Sequence, residues 1–111
     1  MRTEENNGRK VIHIGLPDLE PEELIGIGEL AQETVISHVF ESLTKSEVKD
    51  IEVTTRVNRR DTLDLEIKVY LEVPIFARTD VDKLIDDAIE RAYQAVEQRL
   101  REIANEGKGK T

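Results

Sequence analysis

The chain has 111 residues, with 24 acidic and 16 basic side chains, a net charge of −8 and no cysteine. That length holds one domain, and the missing thiols exclude zinc ribbons, iron–sulfur sites, disulfide frameworks and cysteine nucleophiles. The acidic balance argues against gripping nucleic acid by bulk charge; the polar start Met1-Arg2-Thr3-Glu4-Glu5 and the absence of any apolar run near the roughly 18 residues of a membrane span imply a soluble, cytoplasmic protein.

Residues 1–9 lack apolar periodicity and read as a flexible tail. Lys10 to Ile14 is a short β-branched run closed by Gly15, which predicts a strand. The turn Leu16-Pro-Asp-Leu-Glu-Pro21 delivers a proline to the first helical position, and Glu22 and Glu23 follow at the positive end of the helix dipole. The helix that starts here carries two apolar stripes. Leu24, Ile27, Ala31, Val35 and Val39 form one; Ile25, Ile36, Phe40 and Leu43 form the other, offset by about 100°. A helix touching both a sheet and a second helix accounts for so wide an arc, and a partner-binding face on the second stripe is the alternative.

From Val48 to Val57 apolar residues alternate, with Ile51, Val53, Thr55 and Val57 on one side. The alternation from Thr62 to Val73 is stricter: Leu63, Leu65, Ile67, Val69, Leu71 and Val73 face one way, Asp64, Glu66, Lys68, Tyr70 and Glu72 the other. Two such strands around Asn58-Arg59-Arg60-Asp61 predict a hairpin. Both apolar sets are odd-numbered, so facing positions must sum to an even number. A loop of Arg59 to Asp61 makes that sum 120, placing Arg56 opposite Asp64 and Glu52 opposite Lys68. The last helix begins at Thr79-Asp80-Val81-Asp82, a variant capping box, and keeps helical apolar spacing from Val81 to Ile103. Residues 105–111 read as a second flexible tail.

The expected fold class is therefore α+β in one domain, 10–104: strand-helix-strand-strand-helix, a three-stranded antiparallel or mixed sheet of order 1-3-2, and two helices on one face, KH-like. Strands 1 and 2 are its edges, and both are open to pairing with another chain.

No catalytic motif emerges. Gly26-Ile-Gly-Glu-Leu-Ala31 matches a dinucleotide pattern but falls inside the predicted helix rather than after a strand, so Gly28 reads instead as a position of close helix packing. His13 and His38 have no metal-ligand spacing and read as structural. Glu22, Glu23, Asp64, Glu66, Asp86 and Asp87 fall on solvent faces or helix ends, and no serine stands beside a base. An autonomous enzyme is not expected, and no cofactor or metal site is predicted. Arg56, Arg59 and Arg60 near the hairpin tip are the candidate RNA contacts. The chain lacks the G-x-x-G clamp of a KH module, and stacking aromatics are scarce.

Four segments carry a resemblance: Leu16-Pro-Asp-Leu-Glu-Pro-Glu-Glu-Leu24, Ser46-Glu-Val-Lys-Asp-Ile-Glu-Val53, Leu63-Asp-Leu-Glu-Ile-Lys-Val-Tyr-Leu-Glu-Val-Pro74 and Val81-Asp-Lys-Leu-Ile-Asp-Asp-Ala88. Over residues 10 to 104 the chain resembles the small KH-like dimerisation subunit of the KEOPS complex, which makes threonylcarbamoyl-adenosine in tRNA, and most closely an uncharacterised archaeal paralogue of that subunit. The resemblance implies a non-catalytic accessory subunit that pairs with the paralogous small subunit through a sheet edge and regulates its oligomeric state. It also implies helices able to dock the catalytic ATPase-like subunit, and contact with tRNA through the partners. Ile25, Ile36, Phe40 and Leu43 are the candidate interface residues. The small subunit's L-R-A-x-x-N-like stretch is matched by Glu90-Arg91-Ala92-Tyr93-Gln94-Ala95, with Glu and Ala replacing Leu and Asn. That departure favours a paralogue that occupies the dimer surface without fully replacing the active copy. The alternative is a free-standing, homodimeric KH-like RNA-binding module.

Overall fold

The computed structural model describes residues 3–14, 19–59, 63–75 and 80–108; side chains are described for 19–58, 63–75 and 80–105, and Gly8 is placed in the first segment. Strand β1 spans Thr3–Ile14, helix α1 Pro21–Ser42, strands β2 and β3 Asp50–Arg59 and Leu63–Pro74, and helix α2 Val81–Lys108; a 3₁₀ turn, Lys45–Glu47, leads into β2.

Pro21 opens α1 where its missing N–H costs no hydrogen bond, and the Glu23 carboxylate accepts the Glu20 N–H at 3.0 Å. Leu43 ends the helix by turning to an extended conformation while its N–H still bonds to the Val39 carbonyl at 2.9 Å. The 3₁₀ turn repeats the device: the Glu47 carboxylate accepts from the Thr44 N–H at 3.0 Å and from the Thr44 hydroxyl at 2.9 Å. These two hydrogen bonds hold the Glu47 carboxyl below its ordinary pKa. Asp80 caps α2 by accepting the Lys83 N–H at 3.1 Å; Thr79, the expected cap, lies outside the described residues.

Leu63, Leu65, Ile67, Val69, Leu71 and Val73 of β3 are all buried to 2 % exposure or less. Ile27, Ala31, Val35 and Val39 of α1 and Leu84, Ile85, Ala88, Ile89, Ala92 and Val96 of α2 close over them. Each fully buried aliphatic side chain contributes about 1.5–3 kcal/mol, which makes β3 the keel of the molecule. By contrast, Ile51, Val53 and Val57 of β2 are only half-buried against this core.

The expected fold class needs correction. Among the described residues the side-chain core is a helix–hairpin–helix unit, α1-β2-β3-α2, with a two-stranded antiparallel hairpin beneath two helices. The N-terminal segment is not the five-residue strand expected at 10–14. Its backbone runs for twelve residues antiparallel to β3, so the sheet has order β1-β3-β2 and no mixed pairing. Residues 3–9, expected as a tail, belong to that strand; they lack apolar alternation because ladder bonds use the backbone and leave no signature in Thr-Glu-Glu-Asn-Asn. With no G-x-x-G loop in the chain, the KH-like expectation has no structural support. At the other end, α2 continues to Lys108, past the expected boundary at 104, on helix-forming polar residues that apolar spacing does not register.

The hairpin register also differs. Facing residues sum to 122, so Arg59 pairs with Leu63, Arg56 faces Glu66 rather than Asp64, and Glu52 faces Tyr70 rather than Lys68. Parity holds, and both registers set Arg56 against a carboxylate. The expected charge pairs therefore could not tell the two apart.

Candidate partner-binding face

The described residues offer no group of three or more His, Cys, Asp or Glu side chains able to hold a metal ion. Gly26 to Ala31 lies within α1, so the dinucleotide pattern meets no helix N-terminus. His38 sits in a polar seam of about 280 Å³ between the helices, with Asp87, Glu90, Arg91 and Gln94. Its Nδ1 is buried without a hydrogen bond, 3.7 Å from Glu41 Oε2, and Arg91 Nη1 lies 3.9 Å from the same oxygen. His13 is in β1 opposite Asp64, and its side chain lies outside the described residues. Tyr93, within the departed stretch of α2, is 6 % exposed, and burial, aided by the nearby Glu66 charge, pushes its hydroxyl up to about 12.

The expected RNA contacts do not assemble into a described basic patch. Arg56 is exposed, but it faces Glu66 across the ladder. Arg59 is placed by its backbone alone, and Arg60 lies outside the described residues.

The interface candidates separate. Leu43 is 2 % exposed and belongs to the chain's own core, because the extended turn after α1 folds it inward. Ile25 is 64 % and Phe40 39 % exposed, and Ile36 is half-buried. α2 does not account for this stripe. The side of α1 that meets α2 carries Gly26, Leu30 and His38, whereas Ile25 and Gln32 line a groove with Thr55 and Val57 of β2. Helical spacing of four and four from Gln32 carries Ile36 and Phe40 along that same flank.

The groove encloses about 350 Å³ between the first half of α1 and the edge strand β2. Gly28 sets its depth. A Cβ there would lie 3.2 Å from Thr55 Oγ1 and 3.7 Å from Val57 Cγ2, and the Thr55 hydroxyl donates to the Gly28 carbonyl at 3.3 Å. Gly28 is thus a close-packing position, as the sequence suggested, but against a strand rather than a helix. The groove, the ten-residue edge β2 and the stripe form one continuous surface, apolar on its helix side and, among the described residues, without a second ladder along the outer side of the strand. The sequence reading identified the stripe and left both edges open. No signal within one segment separates them, because the exposure of each edge depends on how the helices sit over the sheet.

A family profile described as a protein of unknown function, DUF3194, matches residues 16–99. An uncharacterised protein from Thermococcus kodakarensis is 64 % identical over 106 residues, covering 96 % of this chain and 98 % of its own length. One from Pyrococcus horikoshii is 61 % identical over 101 residues, covering 91 % and 86 %. A crystal structure from Thermococcus onnurineus is 71 % identical, with a TM-score of 0.76 over 91 % of this chain and 98 % of that one. The solution structure of a hypothetical protein from Methanothermobacter thermautotrophicus shares the fold at 24 % identity, with a TM-score of 0.67 over 79 % and 96 %.

Proposed function

We propose that this chain, which belongs to the DUF3194 family, is a non-catalytic accessory subunit that works by offering an interface, and that its partner is the small dimerisation subunit of the KEOPS tRNA-modifying complex. The observation that carries the reading is the continuous surface of β2, the groove and the α1 stripe. A ten-residue edge strand without proline or glycine, flanked by Ile25 at 64 % exposure, is a template for another strand. The resemblance supplies the identity of the partner: its four quoted segments fall, where described, at the start of α1, on the 3₁₀ turn and β2, on β3 and on the start of α2. Occupying one half of a sheet-edge dimer would let this subunit set how many copies of the complex associate, with the ATPase-like subunit and tRNA reached through the partner. That role belongs in the cytoplasm, and no helix among the described residues is long and apolar enough to cross a membrane.

Mixing the chain with the small subunit and measuring mass by size-exclusion chromatography with light scattering tests this directly. A one-to-one complex that Ile25→Asp with Phe40→Asp abolishes is the expected result. Two species eluting unchanged from the mixture would remove the proposal.

A further inference from the structure

From the order of residues along β2, we infer that this edge is self-complementary and that a second copy of the chain docks on it about a two-fold axis through Thr54. The inference rests on the reading of this face as an interface, and it adds an occupant that the chain can recruit alone.

A symmetric antiparallel pair of strands requires that residue i face residue j and j face i. With Thr54 on the axis, facing positions sum to 108. Glu52 then meets Arg56 of the other copy, twice over; Thr54 meets Thr54; and Asp50 meets Asn58. All five residues are exposed on the sheet face away from the helices. On the helix side Ile51 meets Val57 and Val53 meets Thr55, and three of these four are the half-buried apolar residues that this fold leaves incompletely covered. Opposite charges and Thr–Thr pairs are the favoured cross-strand neighbours, and the like charges this register brings together, Lys49 and Arg59, face each other only at the strand's ends. With the axis at Val53, Arg56 meets Asp50 but Glu52 meets Thr54; with it at Thr55, Arg56 meets Thr54 and Glu52 meets Asn58, so of the three only the Thr54 axis matches Glu52 and Arg56 together.

The helix above repeats the symmetry. Gly28 packs on Thr55, and Leu24 lines the groove with Val57, so α1 runs antiparallel to β2. With rises of about 3.3 Å per strand residue and 1.5 Å per helix residue, Thr54 lies beneath the middle of α1. Ile25 and Phe40 therefore stand on either side of the axis, which is the placement that brings each toward the other in a two-fold pair.

The absence of cysteine makes a direct test available. Residues facing each other across an antiparallel pair have Cα atoms about 4.5–5.5 Å apart, within the span of a disulfide. The full-length Thr54→Cys chain is expected to form a covalent dimer under mild oxidation, while Gln98→Cys on exposed α2 remains largely uncoupled. Equal rates for the two would overturn the inference. In light scattering the natural chain is expected at twice 12.7 kDa. Glu52→Arg and Arg56→Glu should each shift it to the monomer, and the double swap should restore dimer. A dimer indifferent to either single swap, or a double swap no better than the singles, also overturns it. A chain that is monomeric alone yet binds the small KEOPS subunit removes the homodimer and leaves the proposed function standing; a dimer that ignores that subunit does the reverse.

Discussion

The two edges of the sheet are finished differently. On the β1 side, α2 rides so close to the strand that a Cβ on Gly8 would collide with Ile85 Cγ2 and lie 3.2 Å from Ile89 Cδ1. On the β2 side the helix stops short: the strand's apolar residues are half-buried, a groove stays open, and Ile25 and Phe40 face solvent. At Gly8 the first flank is filled by the chain's own side chains, whereas the second keeps a groove and exposed apolar residues beside its strand. Stability should reside in the first and association in the second.

Substitution can break that contrast. Leu65→Ala in β3 empties a site with 0 % exposure and should cost about 2–5 kcal/mol in denaturant unfolding. Val53→Ala in β2 of the monomer should cost only about 1 kcal/mol, since that site is half-open. Equal losses would mean that β2 is as closed as β3. Next in size is Gly8→Ala, which forces Ile85 aside and should destabilise by about 1–3 kcal/mol.

The two glycines of α1 sharpen the comparison within a single helix. Around Gly26 a Cβ meets nothing within 4 Å, so Gly26→Ala should stabilise by about 0.5–1 kcal/mol through helix propensity alone. Gly28→Ala gains the same propensity but presses on Thr55 and strains its hydrogen bond, leaving little net change. A thermal melt of each variant reads the difference.

The smallest effect is a pH dependence at Tyr93 of α2. Tyr93 ionises near 10 when unfolded and at about 12 when folded, so the stability it contributes is fully present below pH 10 and is lost as pH rises toward 12. Ultraviolet titration of a Tyr70→Phe chain, in which Tyr93 is the remaining tyrosine, should show the delayed ionisation. A midpoint at 10 would contradict it.

Where burial writes a periodicity, the sequence was legible: the odd-numbered set of β3, the Ile27–Val39 stripe and the long apolar run of α2 all lie where spacing put them. What stayed hidden is held by backbone or by geometry. Residues 3–9 join β3 through main-chain pairing that Glu and Asn satisfy as well as Val does. The register moved from 120 to 122 because Arg56 finds a carboxylate either way. At the candidate face, Ile25, Ile36 and Phe40 were visible as a stripe, but Leu43 was assigned to it because helical angle cannot see that the helix ends at Ser42. Which edge lay open depended on how far each helix overhangs its strand, a tertiary property that no single segment encodes.

Amide hydrogen exchange, compared between the dilute chain and the chain saturated with its partner, tests the central claim most directly. New protection should be concentrated in Asp50–Arg59, with slower exchange along the Ile25–Phe40 stretch of α1 and no change in β1. Protection appearing on β1 instead, or none on β2, would contradict the assignment of this face.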